Sequence, residues 1–166
     1  MEIRKTTLEQ LPQLLTIYER ARQFMASTGN PRQWGPRQWP PQELLRKDIA
    51  RGKSYVCMDR DTILGTFYYD FGPDIEPTYA HIDDGHWLYD TPYGVVHRIA
   101  ASGKVKGTGR FCLEWAKEQS GHLRIDTHGD NRVMQNLLTS LGFVRTGTIY
   151  VYEDNDPRFA YEWIRS

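Results

Sequence analysis

Three glycines and three cations crowd into eight residues near the middle of the chain: Gly103, Lys104, Lys106, Gly107, Gly109 and Arg110. Val95, Val96 and Ile99 just before them favour a strand, and Phe111, Cys112, Trp115 and Ala116 just after them share one helical stripe. A strand, a glycine-rich turn and a helix in that order place orphan helix amides and the positive end of the helix dipole inside the turn. An anion such as a phosphate binds well there, and glycine lets it approach the backbone closely. On the strand itself sits His97, an imidazole suited to taking a proton near neutral pH. The chemistry on offer is therefore a phosphate-bearing ligand beside a candidate base.

Spacing separates the phosphate sites that such a turn could form. A nucleoside-triphosphate loop needs Gly, four residues, then Gly-Lys and a hydroxyl residue, and no window supplies it. For a dinucleotide loop, Gly107-Thr108-Gly109 follows a strand and opens a helix, with Asp126 near the end of the next strand. Cys112 then stands where close helix-to-strand packing asks for Gly or Ala. Lys104-Val105-Lys106-Gly107-Thr108-Gly109 resembles instead the pyrophosphate loop of the GCN5-related N-acetyltransferases (GNAT), Arg/Gln-x-x-Gly-x-Gly/Ala, with Lys104 at the Arg/Gln position. Downstream, a strand at Leu123–Thr127, Asn131 opening a helix, and its end at Leu141-Gly142-Phe143 resemble the same family.

That resemblance implies acetyl-CoA as cofactor. Backbone near Ile99, Ala100 and Ala101 would hold the thioester and pantetheine, and Lys104, Val105, Lys106, Gly107, Thr108, Gly109 and Arg110 would hold the pyrophosphate. Asn131 would touch the cofactor arm or the acceptor, or simply cap its helix. Acyl transfer to an amine needs a neutral amine, a stabilised carbonyl oxygen and a departing thiolate. His97 is the first candidate base, with His128 and Asp126 behind it. The family often places a Tyr acid where this chain has Leu138, leaving Tyr150, Tyr152 or water for that task. Trp34, Trp39, Tyr79, His86 and Trp87 fall in two irregular connections that would flank the amine entrance. The expected function is acetyl-CoA-dependent N-acetylation of a primary amine, on a small molecule. The alternatives are a CoA-binding sensor or degenerate enzyme and, more weakly, a nucleotide-binding protein.

The elements that must position these residues follow from periodicity. Leu8, Leu11, Leu14, Leu15 and Tyr18 predict an amphipathic helix reaching about residue 25, after a short strand at 1–5. The stretch 27–41, with Arg-Gln-Trp twice, is a loop, and Leu44, Leu45 and Ile49 predict a second helix. Strands are expected at 54–58 and 62–71, an irregular connection at 72–92, then the central strand, its turn and helix. A strand at 122–127, a helix with Met134, Leu137, Leu138 and Leu141, and strands at 143–152 and 158–164 joined by a turn at 153–157 finish the chain. The fold class is α/β with one domain over 1–166, and the resemblance implies a mixed, mostly antiparallel sheet flanked by helices. The resemblance adds that the central strand and the one at 122–127 splay apart to admit the pantetheine arm.

Twenty-one basic and twenty-one acidic residues cancel, so no global field draws nucleic acid or an anionic membrane. Two cysteines make no disulfide framework, and five histidines show no zinc-ligand spacing, so no metal is expected. The expected setting is cytoplasmic, with a small-molecule amine as partner and a homodimer as the assembly allowed.

Overall fold

The computed structural model describes residues 1–152 and 156–166. The chain opens with β1 (Glu2–Lys5). The Thr7 N–H donates to Gln10 Oε1 (2.9 Å), and a 3-10 turn at Leu8–Gln10 leads into α1 (Leu11–Ser27). Leu11, Leu14, Ile17, Tyr18 and Ala21 of α1 are buried at helical spacing. Leu8, counted in that stripe from sequence, is exposed, because the tighter 3-10 period turns it outward. After the proline-rich loop come α2 (Gln42–Ala50) and a hairpin of β2 (Ser54–Asp59) and β3 (Thr62–Gly72). The long connection holds one 3-10 turn, Pro77–Tyr79. Then follow β4 (Tyr93–Ala101), α3 (Thr108–Ser120), β5 (His122–His128), α4 (Arg132–Ser140), β6 (Val144–Tyr150) and β7 (Pro157–Ile164). The order is the one expected, although in the turn placed at 153–157, residues 153–155 lie outside those described.

The strands form one sheet in the order β1-β2-β3-β4-β5-β7-β6. Every neighbouring pair is antiparallel except β4–β5. Cys112, Leu113, Ala116 and Leu138 from α3 and α4 pack on Phe67, Val96, Leu123 and Ile125 on one face. Leu14, Tyr18 and Leu45 from α1 and α2 pack on Val56, Ile63 and Ala100 on the other. The connection before β4 continues that second layer, with Tyr79 against Tyr93, Val95 and Ile149. No helix among the described residues is long and apolar enough to cross a membrane.

The feature that makes room for a ligand lies in β4. It pairs with β5 at Gly94↔Leu123 and Val95↔Arg124, and no further. Along its other edge the register passes from Tyr68↔His97 to Thr66↔Ala100, so Arg98 and Ile99 oppose the single residue Phe67. Such a bulge bends its strand. Arg98 takes φ +53°, a conformation that L residues rarely adopt. Three neighbours hold it there. Its guanidinium lies 2.9 Å from Asp48 Oδ2 and 4.6 Å from the centre of the Tyr68 ring, and its carbonyl accepts from the Tyr18 hydroxyl at 2.6 Å. Gly65 marks a close approach within β3, since a Cβ there would stand 2.8 Å from Thr108 Cγ2 and 3.0 Å from the Ala100 carbonyl oxygen.

Asp48 and Arg98 are an almost fully buried pair, so removing one partner strands the other charge. Asp48→Ala is expected to lower unfolding stability by about 3–5 kcal/mol in urea titration. Glu43→Ala, which breaks an exposed pair with Arg46, should stay within about 0.5 kcal/mol.

Candidate active site

Where β4 and β5 separate, two cavities meet. The larger, about 580 Å³, runs from Ile99, Ala100 and Ala101 along the glycine-rich turn, with Phe24 and Met25 of α1 and Val133 and Leu137 of α4 as walls. The smaller, about 190 Å³, is lined by Glu76, His97, Asp126, Thr127, Trp34 and Trp39, among others. Met25, Ile99, Asn131 and Met134 line both. One passage thus connects a long apolar-walled space to a small polar one.

At the far end of the larger cavity Gly107 is the N-cap of α3, with φ +84° and no side-chain cap. A Cβ at Gly107 would meet nothing within 4 Å, so the orphan amides of the first helical turn open onto free space. Lys106 and Arg110 line the same end. Arg20 of α1 joins them, its guanidinium pressed against Gly103. Backbone donors and three cations at one end of an apolar channel fit the diphosphate and the pantetheine arm of CoA. Of the cofactor residues expected from sequence, Ile99, Ala100, Ala101, Val105, Lys106, Gly107, Gly109, Arg110 and Asn131 line this cavity. Two do not. The Lys104 N–H turns to Ser102 Oγ (3.2 Å) and the residue lines a neighbouring groove, while Thr108 is buried with its hydroxyl donating to the Val105 carbonyl (3.2 Å).

In the smaller cavity His97 Nε2 lies 2.8 Å from Glu76 Oε1. Burial pushes the Glu76 carboxyl up, but the hydrogen bond and charge of His97 together with Arg98 outweigh it and hold the group below the usual carboxylate range. The Tyr79 hydroxyl donates to Asp126 Oδ2 at 2.6 Å. Burial, then Asp126, drive that phenol well above its ordinary value, so it stays protonated and braces the carboxylate. Asn131 Oδ1 caps α4 by accepting from the Met134 N–H (3.0 Å), and its Nδ2 donates to Gln33 Oε1 (2.9 Å).

Other expected residues fall elsewhere. Leu138, at the acid position, is buried in the core and lines neither cavity. Tyr152 lines the smaller cavity, while Tyr150 lines neither and projects from the edge strand β6. His86 is exposed on the connection before β4 and lines neither cavity. Trp87 packs on Tyr79 (5.1 Å between rings) and donates Nε1–H to the Tyr79 carbonyl, so it braces the wall from behind. His128 is taken up by Asp156, 3.0 Å from Nε2. Sequence reasoning missed Arg20, Gln33 and Glu76. Arg20 reads as an ordinary solvated helix residue, and the other two lie in aperiodic connections with no local signal.

No family profile and no curated protein matches the sequence. Solved structures do. A GNAT-family acetyltransferase from Streptococcus agalactiae is 27% identical, with TM-score 0.88, over 99% of this chain and 95% of that one. The ribosomal-protein-alanine N-acetyltransferase of Brucella melitensis is 18% identical (TM-score 0.62, 99% of both chains) and shares the fold. So does the NatC complex bound to Gag peptide and CoA, at 15% identity, TM-score 0.62 and full coverage of both chains. Over nearly its whole length the chain has the fold of the GNAT-family acetyltransferases and is similar to them, enzymes that use acetyl-CoA.

Gly107→Glu places bulk and negative charge where the diphosphate fits. The folded variant is expected to show no thermal shift with CoA, whereas the parent protein gains about 2.7 kcal/mol at a ligand concentration one hundred times Kd.

Proposed function

We propose that this acetyltransferase moves the acetyl group of acetyl-CoA onto a primary amine of a small molecule in the cytoplasm. The observation that supports it is the cavity of about 190 Å³ joined to the larger one at Ile99 and Asn131. A space of that size, walled by Trp34, Trp39 and His97, suits a compact acceptor better than an extended chain. Free, buried Cys57 and Cys112 accord with a reducing compartment.

Bound acetyl-CoA supplies an activated thioester and a thiolate able to leave without an obligatory acid, since an ordinary alkyl thiol ionises near pH ~8.5. Leu138 in place of a phenol is then tolerable. Glu76 faces His97 Nε2, which puts the proton on that nitrogen and leaves the Nδ1 lone pair to accept one from the incoming amine. The β4 edge beyond Val95, which β5 does not pair, carries backbone amides beside Ile99 that can orient a carbonyl oxygen. Trp34 and Trp39 give the smaller cavity apolar walls.

The test is thiol release from acetyl-CoA across a panel of small primary amines. Turnover is expected with small amines, and His97→Gln should lower kcat by about 100-fold or more while leaving KM for acetyl-CoA unchanged. Turnover with peptide N-termini alone would contradict the small-molecule reading. Full activity in His97→Gln would remove His97 as the base.

A further inference from the structure

Arg20, Lys104 and Lys106, beside the glycine-rich turn, make no ion pair and no side-chain hydrogen bond among the described residues, and Arg110 donates to the Ser140 hydroxyl (2.6 Å). The Arg20 guanidinium is held against Gly103, where any side chain would collide with it. It stands between the larger cavity and a groove of about 350 Å³, whose walls include Gln13, Thr16, Ser102, Lys104 and one carboxylate, Asp61. Residues of α1 line the three spaces in chain order. Met25 lines the smaller and the larger cavity, Arg20 the larger cavity and the groove, and Gln13 the groove alone. At about 1.5 Å of rise per residue, Met25 and Gln13 stand roughly 18 Å apart along the helix. The groove therefore continues the passage beyond its diphosphate end.

Acetyl-CoA is laid out in the same order: thioester, pantetheine, diphosphate, then an adenosine that carries a 3′-phosphate. The diphosphate has one negative charge on each phosphorus, and a phosphate monoester adds about 1.5 to 2 more near neutral pH. Arg20, Lys104, Lys106 and Arg110 against the single carboxylate of Asp61 exceed what a diphosphate alone balances. We infer that the groove between α1 and the β2–β3 turn binds the 3′-phosphate of the cofactor, with Arg20 shared between that phosphate and the diphosphate, and Lys104 serving the 3′-phosphate alone. The inference rests on the acetyl-CoA reading and extends it to the part of the cofactor beyond the diphosphate. Asp61, on the turn side of the groove, repels the phosphate and biases it toward Arg20 and Lys104. A phosphate monoester meeting two cations gains charge-assisted contacts that the cofactor lacking it does not have. Lys104, turned away from the larger cavity, thereby keeps a part in cofactor binding and makes the protein selective for the phosphorylated form.

Calorimetric titration with CoA and with 3′-dephospho-CoA tests this on the parent protein, Lys104→Ala and Thr16→Glu. Both positions are exposed, so the variants keep the fold. The parent is expected to bind CoA about tenfold or more tighter than 3′-dephospho-CoA. Lys104→Ala should weaken CoA about tenfold and 3′-dephospho-CoA by less than about twofold, so that the preference is lost. Thr16→Glu puts a carboxylate into the groove one helical turn from Arg20, and should reduce the preference from the α1 side. Equal affinity of the parent for the two ligands overturns the inference while CoA binding stands, as does an equal loss for both ligands in Lys104→Ala or a preference undiminished in both variants. No binding of either ligand to the parent overturns the acetyl-CoA reading, and this inference with it.

Discussion

Beyond Val95 the β4 backbone has no strand partner on the side facing β5, and its peptide groups there must find other partners. The cause is the bulge at Arg98 and Ile99, which turns β4 aside while β3 continues to pair with its other edge through Gly65↔Ala101. A residue at φ +53° persists only if its surroundings over-determine it. Asp48 from α2, Tyr18 from α1 and Tyr68 from β3 do so together, each from a different element. The two helices on that face are therefore the clamp that keeps the sheet open, besides covering it.

The opening divides labour between its two ends. Toward α3, amides of the helix start and the cations Arg20, Lys106 and Arg110 suit a diphosphate. Toward the connection before β4, Glu76 and His97 offer a proton-accepting pair and Tyr79 holds Asp126. That connection carries little regular structure, yet it is pinned from behind. Buried Glu162 accepts from the Leu88 N–H (2.6 Å) and from Arg124 Nε (3.2 Å), and lies 2.6 Å from His122 Nε2. The Arg124 guanidinium sits between the rings of Trp87 (4.4 Å) and Tyr93 (4.2 Å). A buried charge cluster of this kind holds one geometry, because each group would be stranded in any other.

Much of this was legible in the sequence where the signal is local. The glycine spacing at 103–109, the β-branched run before it and the apolar stripe after it announced the strand, turn and helix that carry the larger cavity. Hydrophobic periodicity extended that to the element order, and the family resemblance to the splayed strands. Contacts made across the chain were not legible. Glu76 reaches His97 from an aperiodic connection, Arg20 comes from a helix ninety or so residues away, and Gln33 meets Asn131 through a proline-rich loop. Trp87 and His86 were grouped with Trp34 and Trp39 because all are aromatic and lie between elements. The fold separates them, since Trp87 binds the back of Tyr79 while Trp34 and Trp39 face the cavity.

The central claim is that the gap between β4 and β5 receives the arm of acetyl-CoA, and amide hydrogen exchange with and without acetyl-CoA tests it most directly. The account predicts that the ligand slows exchange in residues 96–101 and in the turn and first helical turn at 103–111, with β1 and β2 unchanged. Protection confined to other parts of the chain, or none at saturating acetyl-CoA, would contradict it.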